Sequence, residues 1–377
     1  MGVNFRHPAQ ASQDIQQEQD QEQRQSAVAL APGALTPAAP APARPAQPAR
    51  KAALLAAALV LLAVSCLASV AFGARAVSFE TLVQALTAFD PENGDHAVVL
   101  SRVPRTVLGL LAGGALGLAG AAMQGVARNP LADPGILGVN AGAAFFVVIG
   151  IYVFGISAFS GYVWFALAGA AVAAVLVYTV ASLGREGATP VKLALAGAAL
   201  SAGLSSLMNA VLVSSQQTLD VFRFWQVGSV AGRGWDVITA VLPFLAVGAA
   251  ISLGAGRALN GLSLGDDLAR GLGQRVALSR GITALGVVLL CGAATAAAGP
   301  IAFVGLVIPH MVRSFTGPDY RWILPFSLVL APVLLLWADI AGRLALPPGE
   351  IPVGVMTAVI GAPVFIWLVR RRKQAQL

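Results

Sequence analysis

Residues 104–126 read Pro-Arg-Thr-Val-Leu-Gly-Leu-Leu-Ala-Gly-Gly-Ala-Leu-Gly-Leu-Ala-Gly-Ala-Ala-Met-Gln-Gly-Val, and after Arg105 the run carries no charge. A helix rises about 1.5 Å per residue, so about 20 apolar residues cross a hydrocarbon core about 30 Å thick. This run is long enough. Within it Gly109, Gly113, Gly117, Ala121 and Gly125 recur every four residues, a stripe of small side chains that lets a neighbouring backbone come close. The whole chain has the same character: 57% of its 377 residues are apolar, 11% are charged, and the mean hydropathy is +0.77. Lipid, not water, is the solvent for most of it. Backbone polar groups in lipid must be satisfied within the spanning segment, and the continuous aliphatic stretches favour helices over the alternation of barrel strands.

Further apolar segments lie at 52–72, 136–155, 162–183, 192–213, 236–255, 278–297, 301–312, 323–342 and 352–369. With 104–126 they predict an all-α membrane protein, a bundle of about ten transmembrane helices. The segment 301–312 is too short to cross a bilayer alone and must be shielded by protein or continue a broken helix. A second small-residue stripe, Ala194, Ala198, Ala202, Ser206 and Ala210, predicts close packing of the fifth span. Residues 1–50 differ: Gln-rich from Gln10 to Gln25 and Ala/Pro-rich from Pro32 to Pro48, they read as a disordered tail ahead of a membrane domain at 51–377. The run after Arg50 and Lys51 is too long and starts too late for a signal peptide, and is read as the first span.

The net charge is +7, but the basic residues sit between apolar runs and at the chain end, a pattern of membrane orientation and not of nucleic-acid binding. With both termini in the cytoplasm, eighteen of the 24 basic residues fall inside. The six outside are Arg75, Arg102, Arg105, Arg223, Arg233 and Arg343, which run against the insertion preference. Cys66 and Cys291 lie in apolar segments without metal-ligand spacing and read as apolar filler. His310, after Pro309, lacks neighbouring ligands, so structural hydrogen bonding is favoured over iron binding and no metal site is expected.

No phosphate-binding loop, zinc-protease or nucleophile-elbow motif occurs, and Gly-Leu-Gly-Gln-Arg at 271–275 lacks the phosphate-loop lysine. The chain is therefore not expected to be an enzyme. Ionisable groups inside the spans are few, chiefly Asp339, which is meagre for an ion-driven pump, so energy is expected from a partner. A docking place for it is the segment Arg257 to Arg280, with Leu264, Leu268, Leu272 and Val276 at helical spacing. Asp266 and Asp267 follow Gly265 at a helix start, where negative charge is favoured, and Arg270 can pair backward with either. A solvated surface helix is the plain alternative. The connection Arg128-Asn129-Pro130-Leu131-Ala132-Asp133-Pro134-Gly135 places Asn129 and Asp133 before prolines, the signature of rigid, capped turns, and reads as an elbow that could be purely architectural. Asp220 to Asp236, with Phe222, Phe224, Trp225 and Trp235, reads as an interfacial helix over a pathway mouth or as a membrane anchor.

The elbow continues through Ile136-Leu137-Gly138. With Arg102-Val103-Pro104-Arg105, Gln124, Phe224-Trp225-Gln226-Val227-Gly228-Ser229, Gly305-Leu306-Val307-Ile308-Pro309-His310-Met311-Val312-Arg313, Asp339, Arg343, Glu350-Ile351-Pro352-Val353-Gly354 and Gly361-Ala362-Pro363-Val364-Phe365, it resembles the FecCD-type permeases of iron–siderophore, haem and cobalamin ABC importers. The resemblance covers about residues 52–370 and leaves the leader unexplained. It implies a type II importer fold in a bacterial cytoplasmic membrane and a permease domain at 51–377. It implies as partners a second permease subunit, two ATP-binding subunits that hold ATP and magnesium, and a soluble or lipid-anchored substrate-binding protein; no cofactor is expected in this chain. It implies ATPase coupling at Leu264, Gly265, Asp266, Asp267, Leu268, Arg270, Gly271, Leu272 and Gly273. Binding-protein docking is implied at Arg102, Arg105 and Arg343, although Arg343 could instead pair internally with Asp339. Iron(III)–siderophore is the favoured cargo, with haem or cobalamin as alternatives and an ion-coupled secondary transporter as the reading from another class.

Overall fold

The computed structural model describes residues 48–73, 75, 77–183 and 189–374, and the regular elements among them are all helical. All ten predicted segments are helices: α1 Pro48–Ala71, α3 Gly94–Val126, α4 Val139–Phe154, α5 Phe159–Ser182, α6 Pro190–Ser214, α8 Trp235–Gly254, α11 Val276–Ala298, α12 Val304–Thr316, α13 Tyr320–Ala345 and α14 Val353–Gln374. Four short helices join them: α2 Phe79–Thr87, α7 Gln216–Gln226, α9 Gly256–Ser263 and α10 Asp266–Gly271. Seven helices, α1, α3, α5, α6, α8, α11 and α13, are long and apolar enough to cross a membrane alone, whereas α4 and the apolar part of α14 are shorter. α1 begins at Pro48; the rest of the leader lies outside the described residues.

α3 is the central post, packing most extensively against α13 and α11. The glycine stripe explains the first seam. Gly109 faces Leu336, Gly113 faces Pro332, and a Cβ on Gly117 would collide with the Ala331 side chain and the Ser327 carbonyl. On another side, a Cβ on Gly120 would strike the Gly305 carbonyl of α12. Backbone-level contact of this kind holds membrane helices together where lipid tails compete equally for large apolar side chains.

The second stripe corrects the expectation of close packing. Ala198, Ala202, Ser206 and Ala210 are exposed in this chain, and α6 buries Leu193, Gly197, Met208 and Leu212 instead. α6 lies at the bundle edge, and Leu195, Leu207 and Val213 are exposed along with the stripe, so an apolar face of this helix is open.

The short segment resolves as a broken crossing. α11 ends at Ala298, and residues 299–303 run irregularly to α12, with Gly299 at φ +75° and Phe303 at φ +69°. Protein supplies the missing backbone partners. The Ser229 N–H donates to the Ala298 carbonyl at 2.7 Å, and the Gly354 N–H donates to the Gly228 carbonyl at 3.0 Å. Gly228, at φ +76°, sits where a Cβ would hit the Pro300 carbonyl. Three sequence motifs far apart in the chain thus meet at one backbone junction, so protein shields the break.

Candidate functional sites at the two ends of the bundle

At one end, α1 leaves its last carbonyls without intrahelical partners. Arg102 supplies them: its Nη1 donates to the carbonyls of Val70 at 3.1 Å and Ala71 at 2.8 Å, and its Nη2 to that of Arg75 at 2.6 Å. Arg343 adds bonds to the carbonyls of Ser69 at 2.9 Å and Phe72 at 2.7 Å, and to the Ser69 hydroxyl at 3.1 Å. Two cations at a helix C-terminus also complement its dipole. Arg105 forks onto Asp339 through Nε and Nη2, the shortest bond being 2.7 Å, and reaches Glu350 through Nη1 at 2.7 Å. Asp339, 2% exposed, also pairs with Arg343 at 3.0 Å, so the internal pair held open for Arg343 is present.

The three arginines are brought together, but the expected outward placement needs correction. Arg102 and Arg343 are buried and turned back into the chain, because the end of α1 and Asp339 offer them acceptors; Arg105 keeps 14% of its side chain exposed. They line a cleft of about 590 Å³ together with Arg75, Arg233 and Glu350. Arg75 is largely exposed and pairs with Asp95 at 2.7 Å. Arg233 donates to the Ala297 carbonyl at 3.0 Å, and burial pulls its guanidinium down to about 10, still protonated at neutral pH. Sequence reading counted Arg75 and Arg233 as outer charges but gave them no site. Their unfavourable side of the membrane was the one signal. The aromatic segment splits: Phe222 and Trp225 are buried with ring centroids 5.8 Å apart, while Phe224 and Trp235 are exposed.

At the other end, the elbow forms as two side-chain-capped turns. Asn129 Oδ1 accepts from the Leu131 N–H at 2.9 Å, and Asp133 Oδ1 accepts from the Gly135 N–H at 2.7 Å to open a 3-10 turn over Pro134–Leu137. Burial pushes the Asp133 carboxyl up, against the pull of the Gly135 bond.

The single helix expected through Leu264, Leu268, Leu272 and Val276 is three pieces, α9, α10 and the start of α11. Gly265 at φ +107° and Gly273 at φ +79° interrupt it, a conformation glycine adopts without strain. Leu264, Leu268 and Leu272 are exposed at 57%, 62% and 71%, a ridge of leucines at the bundle end, while Val276 is buried at the start of α11. Arg270 pairs with Asp267 at 3.0 Å, the backward pairing expected. Asp266 instead pairs with Arg128 of the elbow at 3.1 Å and with Arg280 of α11 at 2.7 Å. The two segments read separately in the sequence are therefore one assembly. Among the described residues no group of three or more His, Cys, Asp or Glu side chains is placed to hold a metal.

Among the described residues, seven helices long and apolar enough to cross a membrane, a helix break shielded by protein, an arginine-lined cleft at one end and a leucine ridge at the other define a multi-pass membrane protein. The chain belongs to the FecCD transport family, whose family model matches residues 61–371. It is 46% identical over 313 residues to the "Probable siderophore transport system permease protein YfiZ" of Bacillus subtilis, covering 83% of this chain and 93% of that one. It is 47% identical over 315 residues to the ferric enterobactin transport system permease protein FepD of Escherichia coli, covering 83% and 94%. A solved structure described as "An inward-facing conformation of a putative metal-chelate type ABC transporter" superposes with a TM-score of 0.74 at 27% identity, over 85% of this chain and 99% of the other.

Proposed function

We propose that this chain is the permease subunit of an ATP-driven importer that moves an iron(III)–siderophore chelate across a bacterial cytoplasmic membrane. The observation that carries the reading is the polarity of the bundle: a cationic cleft at one end and an uncovered leucine ridge at the other. The ridge receives an ATP-binding subunit, which holds ATP and magnesium, while this chain holds neither and hydrolyses nothing. The cleft end faces outward and receives a substrate-binding protein, with both termini on the ridge side, in keeping with the excess of basic residues there. Arg105 and Arg75 are the cations placed to meet acidic groups of that protein, and Arg102 and Arg343 build the surface and its positive potential from beneath. Charge of this kind steers encounter more than it adds affinity. The open small-residue face of α6 is where a second permease subunit packs. An ion-coupled mechanism is disfavoured because Asp339, the chief carboxylate of the interior, is committed to two guanidiniums.

A crossed co-purification tests the assignment. Leu268→Glu is expected to lose the ATP-binding subunit and keep the binding protein, whereas Arg75→Glu, at a largely exposed position, is expected to do the reverse, most clearly at low salt. The opposite pattern, or no change in either, overturns it.

A further inference from the structure

α3 ends in a motif that ordinarily takes glycine. The Asn129 N–H donates to the Gln124 carbonyl at 3.2 Å and the Arg128 N–H to the Gly125 carbonyl at 3.3 Å, the paired bonds of a Schellman closure. The residue that turns the chain there must be left-handed, and here it is Arg128, at φ +50°. A side chain in that conformation is strained where glycine is not. The guanidinium gives a reason for the arginine. Its Nη2 lies 3.1 Å from Asp266 Oδ1, and the same oxygen accepts from Arg280 Nη2 at 2.7 Å.

One carboxylate oxygen therefore joins three pieces: the end of α3 with its elbow, the short α10, and the first turns of α11. α10 is otherwise lightly held. It buries a single residue, Ala269, and is bounded by Gly265 and Gly273, both at positive φ. Asp266 is 25% exposed and Arg280 8%, so this pair is better shielded than a surface ion pair and correspondingly stronger.

We propose that Asp266 is the positioning residue that carries displacement of the α9–α10 pair into the bundle, through Arg128 to α3 and through Arg280 to α11. The inference rests on the reading that the ATP-binding subunit docks on that pair. When the docked subunit shifts the leucine ridge, the glycines let α10 swing, and the carboxylate pulls two otherwise separate helix ends with it. Loss of the tie leaves docking intact and disconnects it from the helices.

The experiment uses the complete importer reconstituted in vesicles and reads chelate transported per ATP hydrolysed. Arg128→Gly places the favoured residue at the left-handed turn, so the unfolding temperature of the complex is expected not to fall, yet the ratio is expected to drop about tenfold. Asp266→Asn is expected to lower the ratio similarly, and Arg128→Lys, which keeps the charge, to restore much of it. A ratio unchanged in both Arg128→Gly and Asp266→Asn overturns the proposal, as does a fall accompanied by loss of stability or assembly in Arg128→Gly, the mark of a merely structural pair. Leu268→Glu separates the underlying reading: if that variant still assembles with the ATP-binding subunit, the docking site is wrong, independently of the ratio measured on assembled Arg128→Gly complexes.

Discussion

Asp339 and Glu350 both accept from Arg105, yet they are expected to matter very differently. Asp339 is 2% exposed and serves two guanidiniums, whereas Glu350 is 36% exposed and touches one. Removing the shared partner of a buried pair strands charge in a low dielectric, and Asp339→Asn is expected to destabilise the subunit by about 3–5 kcal/mol. Glu350→Gln removes a bond that water can replace, and about 1 kcal/mol or less is expected. Thermal unfolding in detergent compares them, and equal losses would contradict the burial argument. At this scale the sequence was partly legible. Charge bias placed Arg102, Arg105 and Arg343 on one side together with three other arginines, and the resemblance to the FecCD-type permeases singled out these three. The sequence did not reveal that Arg102 and Arg343 point inward, because their acceptors are backbone carbonyls at the end of α1, which leave no mark in the identity of a side chain.

The helices carry the same lesson in the two small-residue stripes. In α3 the stripe is a seam, and Gly120→Val is expected to drive a side chain into the Gly305 carbonyl, with a loss of about 3 kcal/mol or more and a poorly folded subunit by gel filtration. In α6 the face is open, and Ala202→Leu is expected to leave the single subunit within about 0.5 kcal/mol of its stability while weakening its pairing with a second subunit. Spacing shows that a helix face is smooth; it does not show what covers it. The segment 257–280 was misread for a related reason, since leucines at helical intervals continue across Gly265 although the backbone does not. The α9–α13 corner gives a pH test of element docking. Burial would raise Asp319, but hydrogen bonds from Arg321 and Asn260 hold it down to about 2. Its folded value lies below the usual carboxylate value of about 3.9, so its stabilisation is present above about pH 4 and is lost as pH falls toward 2. Asp319→Asn is expected to lower the unfolding temperature at pH 7 and to converge with the unsubstituted protein near pH 2. A constant gap across that window would remove the carboxylate from the account.

On the scale of the whole molecule, the ten apolar runs were all legible, because lipid demands them one helix at a time. Their assembly was not, because it depends on backbone surfaces meeting across long sequence separations, as at Gly228, Pro300 and Gly354. What emerges is a bundle with a different chemistry at each end, in keeping with the proposed route whose opening is driven from outside the chain. The most direct measurement is uptake of a ferric siderophore chelate into vesicles holding this chain, its ATP-binding subunit and its binding protein. The account predicts uptake with ATP inside the vesicles and none when ATP is replaced by an ion gradient. Uptake driven by the gradient in vesicles lacking the ATP-binding subunit would contradict it.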